Sequence, residues 1–353
     1  MKIHRIVCSL SVFVVLLSFI SIATAQGRPH SAVNVRLITD EAEAVLAILA
    51  KKKANESITE ADWQQVFHSE GYTRLKQREV SMKRSFEDAD FKAFVLSDQL
   101  FSRAPALEET LARWGRADVT SAAGLALAYL PKEARITAKI YPVIKPRENS
   151  FVFDVSNDPA IFLYLDPSVS VEKFTNTLAH ELHHIGYGTS CPRQATASEI
   201  AKLPKNVRNV LTWLGGFGEG LAMLAAAGGP DVHPHAVSGS EERARWDKDL
   251  TNFNVDLKRV EKFFQDMLEN RLSDEEIQKT GFSFFGTQGP WYTVGWEMSV
   301  VIERTFGRAK LIESFCDQRK LLAAYNKAAA KYRRKSREQL AVWSPAVVNA
   351  VSR

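Results

Sequence analysis

Residues 174–187 read Phe-Thr-Asn-Thr-Leu-Ala-His-Glu-Leu-His-His-Ile-Gly-Tyr, and they contain an HExxH pattern that begins at His180. Residues four apart on a helix lie on the same face, so a helix here presents the imidazoles of His180 and His184 to one point. Glu181 lies beside the first histidine, where a carboxylate can take a proton from a metal-bound water. The spacing therefore predicts a helix that carries two metal ligands and a general base.

The same stretch has the apolar spacing of a buried helix. Leu178, Leu182 and Ile185 recur at intervals of three and four residues, which would turn the histidines towards a cleft. Gly186 and Gly188 can end the helix. The alternative is a buried helix without a metal, and each of its three histidines would then need a hydrogen-bond partner.

Two histidines do not complete a catalytic zinc site, which usually keeps three protein ligands and one open position. Glu219 is the best third candidate, because it lies between two glycines at the start of an apolar, alanine-rich segment that can pack closely. A carboxylate near a helix N-terminus is also favoured by the helix dipole, so a capping role is the competing interpretation. Rival ligands occur in the following loop: Asp231, His233 and His235.

With these residues the chain resembles the gluzincins, zinc metallopeptidases that carry HExxH on one helix and a glutamate ligand on the next. It looks most like an uncharacterised bacterial group of zinc-dependent peptidases, with a weaker likeness over about residues 63–308. The resemblance implies one Zn²⁺ per chain, held by His180, His184 and Glu219, with Glu181 as the general base. It also implies a zincin-like catalytic half.

Two further positions concern catalysis. Some gluzincins orient a histidine with an aspartate four residues after the ligand glutamate; here that position is Met223, so the metal histidines need other partners. Some also use a downstream tyrosine or histidine to stabilise the charge that develops on the carbonyl oxygen. Tyr292 is the candidate, because Gly295 in the same predicted helix allows a close helix approach; the alternative is a packing role only. Tyr187 and His183 are weaker candidates.

The pattern changes between residues 135 and 165, where branched and aromatic residues dominate. Strands are predicted over residues 135–144, 151–155 and 160–165. Helical spacing dominates residues 39–130. After Gly229 the predicted helices are about 241–268, 274–279, 292–305, 309–315 and 321–334. The fold class is therefore α+β and predominantly helical, with a small sheet preceding the HExxH helix.

The chain has 353 residues, and four regions are predicted along it. They are a signal peptide (1–25), an N-terminal helical region (26–134), a zincin-like catalytic core (135–230) and a C-terminal helical region (231–353).

The first 25 residues have the pattern of a secretory signal peptide. Lys2 and Arg5 precede an apolar run over residues 6–20, and Ala23-Thr24-Ala25 is a small-residue cleavage pattern. We expect cleavage after Ala25 and export to the periplasm or the exterior; an uncleaved anchor is the alternative. No later stretch is expected to cross a membrane.

The net charge and the cysteines bear on binding partners and on disulfide formation. The chain has 46 Lys and Arg against 41 Asp and Glu, and the signal peptide holds two of the basic residues, which leaves a net charge of +3. This balance gives no indication of nucleic acid binding. Cys191 and Cys316 remain after cleavage and either form a disulfide or stay as buried thiols.

These observations predict an exported zinc metallopeptidase whose partner is a peptide or protein substrate. Two alternatives keep the metal: a zinc-dependent hydrolase of a non-peptide amide, and a zinc-stabilised binding protein that does not cut. The oligomeric state and the substrate specificity stay open.

Overall fold

The computed structural model describes residues 32–191, 194–336 and 339–352. The predicted signal peptide, residues 1–25, lies outside the described residues, so its cleavage stays a prediction. The described chain is mostly helical and contains a four-stranded sheet ahead of the HExxH helix. The predicted α+β, predominantly helical class is confirmed.

The sheet is formed by strands β1 (Val33–Leu37), β2 (Ile136–Val143), β3 (Phe151–Phe153) and β4 (Ala160–Tyr164). Their order is β1-β2-β4-β3. The pairs β1–β2 and β2–β4 are parallel, whereas β3 runs antiparallel to β4. Strands β2, β3 and β4 fall within the three predicted strands, and β3 forms one edge of the sheet.

Strand β1 was not predicted and lies in the region expected to be helical. Its side chains alternate, so that Val33, Val35 and Leu37 pack against the core while the residues between them are exposed. It pairs in register with β2, starting from Val33 opposite Ile136. Five residues are too few for this alternation to stand out in the sequence, and the pairing partner lies far along the chain.

The helices surround this sheet and continue beyond it. In chain order they are α1 (Asp40–Lys53), α2 (Glu60–Phe67), α3 (Glu70–Ser81), α4 (Asp88–Val95), α5 (Asp98–Trp114), α6 (Val119–Leu127), α7 (Val171–Ser190), α8 (Gln194–Ile200), α9 (Lys205–Leu214), α10 (Gly218–Ala227), α11 (Ser240–Leu250), α12 (Phe253–Leu268), α13 (Asp274–Ser283), α14 (Pro290–Phe306), α15 (Arg308–Cys316), α16 (Leu321–Ser336) and α17 (Pro345–Val351).

Some helix boundaries differ from the prediction. The helix expected over residues 241–268 is two helices, α11 and α12, separated at Thr251 and Asn252. Both residue types compete for backbone hydrogen bonds in helices, which explains the break. Helix α13 runs to Ser283 rather than to residue 279, and α8, α9 and α17 were not predicted.

Helix α7 carries the HExxH motif and is longer than predicted. It begins after Ser170, whose side chain accepts a hydrogen bond from the backbone N–H of Lys173, and it ends at Ser190. Gly186 and Gly188 therefore do not end it, contrary to the prediction. A β-carbon at Gly186 would collide with Leu130, so this glycine allows close packing instead.

One face of α7 is buried against the sheet. Phe174, Leu178, Leu182 and Ile185 join a core cluster that includes strand residues such as Ile140. The face that carries the metal motif is turned to α10, because His180 and His184 contact Glu219 there. This arrangement leaves the motif between α7 and α10 rather than in the sheet core.

Helices α10 and α14 are in backbone contact. A β-carbon at Gly220 would collide with the backbone nitrogen of Trp296, and one at Gly295 would lie 2.6 Å from the carbonyl oxygen of Phe217. Only glycine fits at both positions. The close approach that was predicted from Gly295 is therefore present, and it brings the start of α14 beside the start of α10.

The segment Lys205–Ala227, which includes α9 and α10, is long and apolar enough to cross a membrane. This differs from the expectation that no stretch after the signal peptide would be apolar enough to cross a membrane. Within the described residues, 61% of its apolar window is buried inside the protein, as is typical of a core helix.

Cys191 and Cys316 form a disulfide, with their Cα atoms 4.6 Å apart. It joins the end of α7 to the end of α15, so the bond fixes the far end of the metal-motif helix against the C-terminal helices.

Candidate metal centre

Three side chains converge between α7 and α10. His180 and His184 lie one turn apart on α7, and their Nε2 atoms are 3.0 Å from each other. Glu219 lies in the first turn of α10, with Oε2 at 3.1 Å from Nε2 of His180 and 3.2 Å from Nε2 of His184. Two nitrogens and one carboxylate oxygen thus form a nearly equilateral triangle.

This triangle fits a zinc ion. Tetrahedral zinc with bonds of about 2.0–2.2 Å holds neighbouring ligand atoms about 3.4 Å apart, close to the three distances here. The side chains of His180, His184 and Glu219 are 13%, 25% and 19% exposed, so a bound ion would keep one open side. In residues 32–191, 194–336 and 339–352 these three form the group of His, Cys, Asp or Glu side chains that could hold a metal.

The electrostatics of the centre favour a cation. Burial raises the pKa of Glu219, but the charge of His184 and hydrogen bonds from both histidines outweigh it and hold that pKa below its ordinary value. Burial lowers the pKa of His184, yet the charge of Glu219 outweighs it and raises the pKa to about 9. The carboxylate therefore draws positive charge to this point, and a metal ion would replace the proton that His184 otherwise keeps.

Glu181 and Tyr292 border the same centre. Glu181 is partly exposed beside His180, and its charge acts on both His184 and Tyr292. Burial raises the pKa of the Tyr292 phenol above its ordinary value, helped by the charge and hydrogen bond of Glu219. The phenol thus stays protonated and available as a donor. The three predicted ligands, the predicted base and the predicted oxyanion donor are therefore brought together here.

The rival ligands have other partners. Asp231 pairs with Arg304, at 2.9 Å between carboxylate and guanidinium. Nε2 of His233 lies 2.9 Å from the carboxylate of Asp247. His235 is buried, and both of its ring nitrogens form hydrogen bonds outside the centre. None of the three belongs to the group that could hold a metal.

The weaker oxyanion candidates also have other surroundings. The hydroxyl of Tyr187 donates to the carbonyl oxygen of Phe315 at 2.8 Å. His183 is only 1% exposed, and its pKa falls to about 3, mainly through burial and then through the charges of His184 and His180. A neutral, enclosed imidazole cannot stabilise charge on a substrate.

The second ring nitrogen of a metal-binding histidine usually has a hydrogen-bond partner. Nδ1 of His180 is buried and has no hydrogen-bond partner among the described residues. The position four residues after Glu219, where some gluzincins have an aspartate that orients a histidine, is Met223 here, and among the described residues no other acceptor hydrogen-bonds to this nitrogen. Gln288, two residues before α14, has a φ of +60°, and no local sequence pattern marks it.

The comparison with known families agrees with this site. No curated protein and no solved structure matches the chain. A family model described as "Putative zinc dependent peptidase (DUF5700)" matches residues 37–334, which include every residue of the centre. Because this match covers most of the chain, the protein belongs to that family, as the resemblance in the sequence had implied.

Proposed function

We propose that the protein is an exported zinc metallopeptidase that hydrolyses peptide bonds. The observation that carries the proposal is the convergence of His180, His184 and Glu219 on one point, with Glu181 beside it. Those three residues would hold the ion. When bound there, zinc would polarise the scissile carbonyl and lower the pKa of a water molecule.

The remaining steps belong to protein side chains. Glu181 accepts the proton of the attacking water and delivers it to the leaving amine nitrogen. Tyr292 donates a hydrogen bond to the carbonyl oxygen as negative charge builds on it. Its raised pKa supports this role, because a protonated phenol is required of a donor.

The position of β3 supports a peptide as the substrate. A β-carbon at Gly188 would lie 3.1 Å from Val155, so the segment after β3 approaches α7 two turns beyond Glu181. In the described part of the chain the outer side of β3 pairs with no strand. An extended peptide can add to such an edge through main-chain hydrogen bonds.

Two features support export. The N-terminal 25 residues have the composition of a signal peptide. The Cys191–Cys316 disulfide is a bond that persists in oxidising compartments outside the cytosol.

The variant Glu181→Gln tests the proposal, because the amide cannot accept the water proton. On a fluorogenic peptide library, we expect zinc content and fold to be retained while hydrolysis falls by about 10²–10⁴-fold. Glu172→Gln is the matched control, since Glu172 is an exposed carboxylate in the first turn of the same helix. Equal rates for the parent and Glu181→Gln would contradict the mechanism. A zinc-loaded parent that cuts only non-peptide amides, or nothing, would contradict the peptidase assignment.

A further inference from the structure

Gln288 combines two unfavourable features at the N-terminal end of α14. Its φ of +60° lies in the left-handed region, which favours glycine. Its Oε1 atom is buried and has no hydrogen-bond partner in the described part of the chain. Stability alone does not explain a glutamine here. Such strain persists where the surroundings impose it, and it concentrates near functional sites.

The other end of the Gln288 amide begins a chain of hydrogen bonds. Nε2 of Gln288 donates to Nε2 of His235 at 2.9 Å, so the neutral ring carries its proton on Nδ1. That nitrogen lies 2.9 Å from the hydroxyl of Ser238. The same hydroxyl accepts from Nζ of Lys173 at 2.7 Å. We call these four residues the α7–α14 hydrogen-bond chain.

The imidazole of His235, at the centre of this hydrogen-bond chain, is buried and stays a hydrogen-bond acceptor near neutral pH. His235 is 1% exposed, and its ring packs against Trp246, which packs in turn against Trp296 of α14. Burial, followed by the charge of Lys173, lowers the pKa of His235 to about 4. The imidazole therefore stays neutral near pH 7 and can accept from Gln288.

One end of this hydrogen-bond chain, Lys173, lies on α7, and the other end, Gln288, lies two residues before α14. Lys173 is in the first turn of α7, about two turns before Glu181 on the same helix. Gln288 lies four residues before Tyr292 and immediately precedes the Gly289–Pro290 start of α14. The α7–α14 hydrogen-bond chain thus links the segment just before α14 to α7, the helix that carries the general base.

We propose that Gln288 is a positioning residue, which through the α7–α14 hydrogen-bond chain fixes the Tyr292 hydroxyl relative to Glu181 and the metal centre. The contact between Gly220 and Gly295 holds α14 against α10 in its second turn. The α7–α14 hydrogen-bond chain holds the segment that leads into the first turn of α14. The inference rests on the proposed function for the role of Tyr292, whereas the positioning itself can be tested without catalysis.

The first test uses Gln288→Gly, which removes the amide while relieving the left-handed backbone, so the fold is not endangered. Lys83→Gly is the matched control, because Lys83 is exposed, has a φ of +53° and lies after α3. Each variant is labelled with 3-fluorotyrosine, and Tyr292→Phe identifies the Tyr292 signal by its loss. In ¹⁹F NMR we expect one sharp Tyr292 signal in the parent and in Lys83→Gly, and a shifted or split signal in Gln288→Gly. An unchanged signal would overturn the proposal.

The second test is a double-mutant cycle on the zinc-loaded enzyme with the peptide library. Gln288→Gly should lower kcat about tenfold with KM within about twofold, and it should have no further effect in the Tyr292→Phe background. Independent, multiplicative losses would show a merely structural role and overturn the proposal. If the parent cuts no peptide, the proposed function fails, but the NMR result still decides whether Gln288 positions Tyr292.

Discussion

Replacing Tyr292 with phenylalanine removes one hydroxyl from the centre and leaves the ring. In the structure this hydroxyl is largely buried beside two carboxylates, Glu219 and Glu181, so it is a protonated donor at the point where charge develops. Loss of one such donor typically lowers kcat by about 10²–10³-fold. We expect the lower end of this range, because the hydroxyl already has a hydrogen bond to Glu219 and exchanges it for one to the substrate oxygen.

The interaction forms only in the transition state, so KM should change little while kcat and kcat/KM fall together. Steady-state kinetics on a fluorogenic peptide, with zinc content measured on the same samples, provides the assay. Zinc should stay at one ion per chain, since Tyr292 is not in the group that could hold the metal.

Tyr187→Phe is the matched control for this experiment. It removes the same hydroxyl from a tyrosine that donates to the carbonyl oxygen of Phe315 instead, at 2.8 Å. We expect a loss of stability of about 1 kcal/mol and an unchanged kcat. An unchanged kcat in Tyr292→Phe, or an equal loss in both variants, would refute the reasoning and return Tyr292 to a packing role.

Three other changes have definite expected outcomes. Burial chiefly raises the pKa of Glu41 to about 8 from its ordinary value of 4.5, so the folded state keeps a proton that the unfolded state loses as pH rises through this window. Glu41→Gln should therefore raise the free energy of unfolding by about 3 kcal/mol at pH 7 and by almost nothing at pH 4, measured by urea titration at both pH values; an equal change at both would contradict the assignment. The disulfide closes a loop with a sequence separation of 125, so the double variant Cys191→Ser/Cys316→Ser should lose about 5 kcal/mol on the chain-entropy model, and an unaltered urea midpoint would count against it. Met223→Asp offers an acceptor for Nδ1 of His180, which has no hydrogen-bond partner among the described residues, and should tighten zinc binding by about tenfold in a chelator competition, whereas equal or weaker affinity would show that the carboxylate does not reach it.

Local pattern was sufficient for the parts of the site that lie within one helix. The spacing of His180, Glu181 and His184 defines a shared helix face wherever that helix packs. The placement of Glu219 and Tyr292 near the centre could be predicted because nearby glycines, Gly220 and Gly295, indicate close helix packing, and those glycines indeed meet a neighbouring backbone.

Features that depend on distant partners could not be predicted in this way. Strand β1 is defined by pairing with Ile136 and its neighbours, not by its own five residues. The sequence predicts a helix end near Gly186, but its neighbour Leu130 makes it a packing position inside α7. The contact between Gln288 and His235 joins two loops, and no spacing rule connects them.

Metal content tests the central claim most directly. The parent protein, purified without chelator and analysed by elemental analysis, should contain close to one zinc per chain. Glu219→Ala should bind zinc much more weakly, and a His180→Ala/His184→Ala double variant should contain none, because these variants remove ligand atoms that lie 3.0–3.2 Å apart. Zinc retained equally by the double variant would contradict the account.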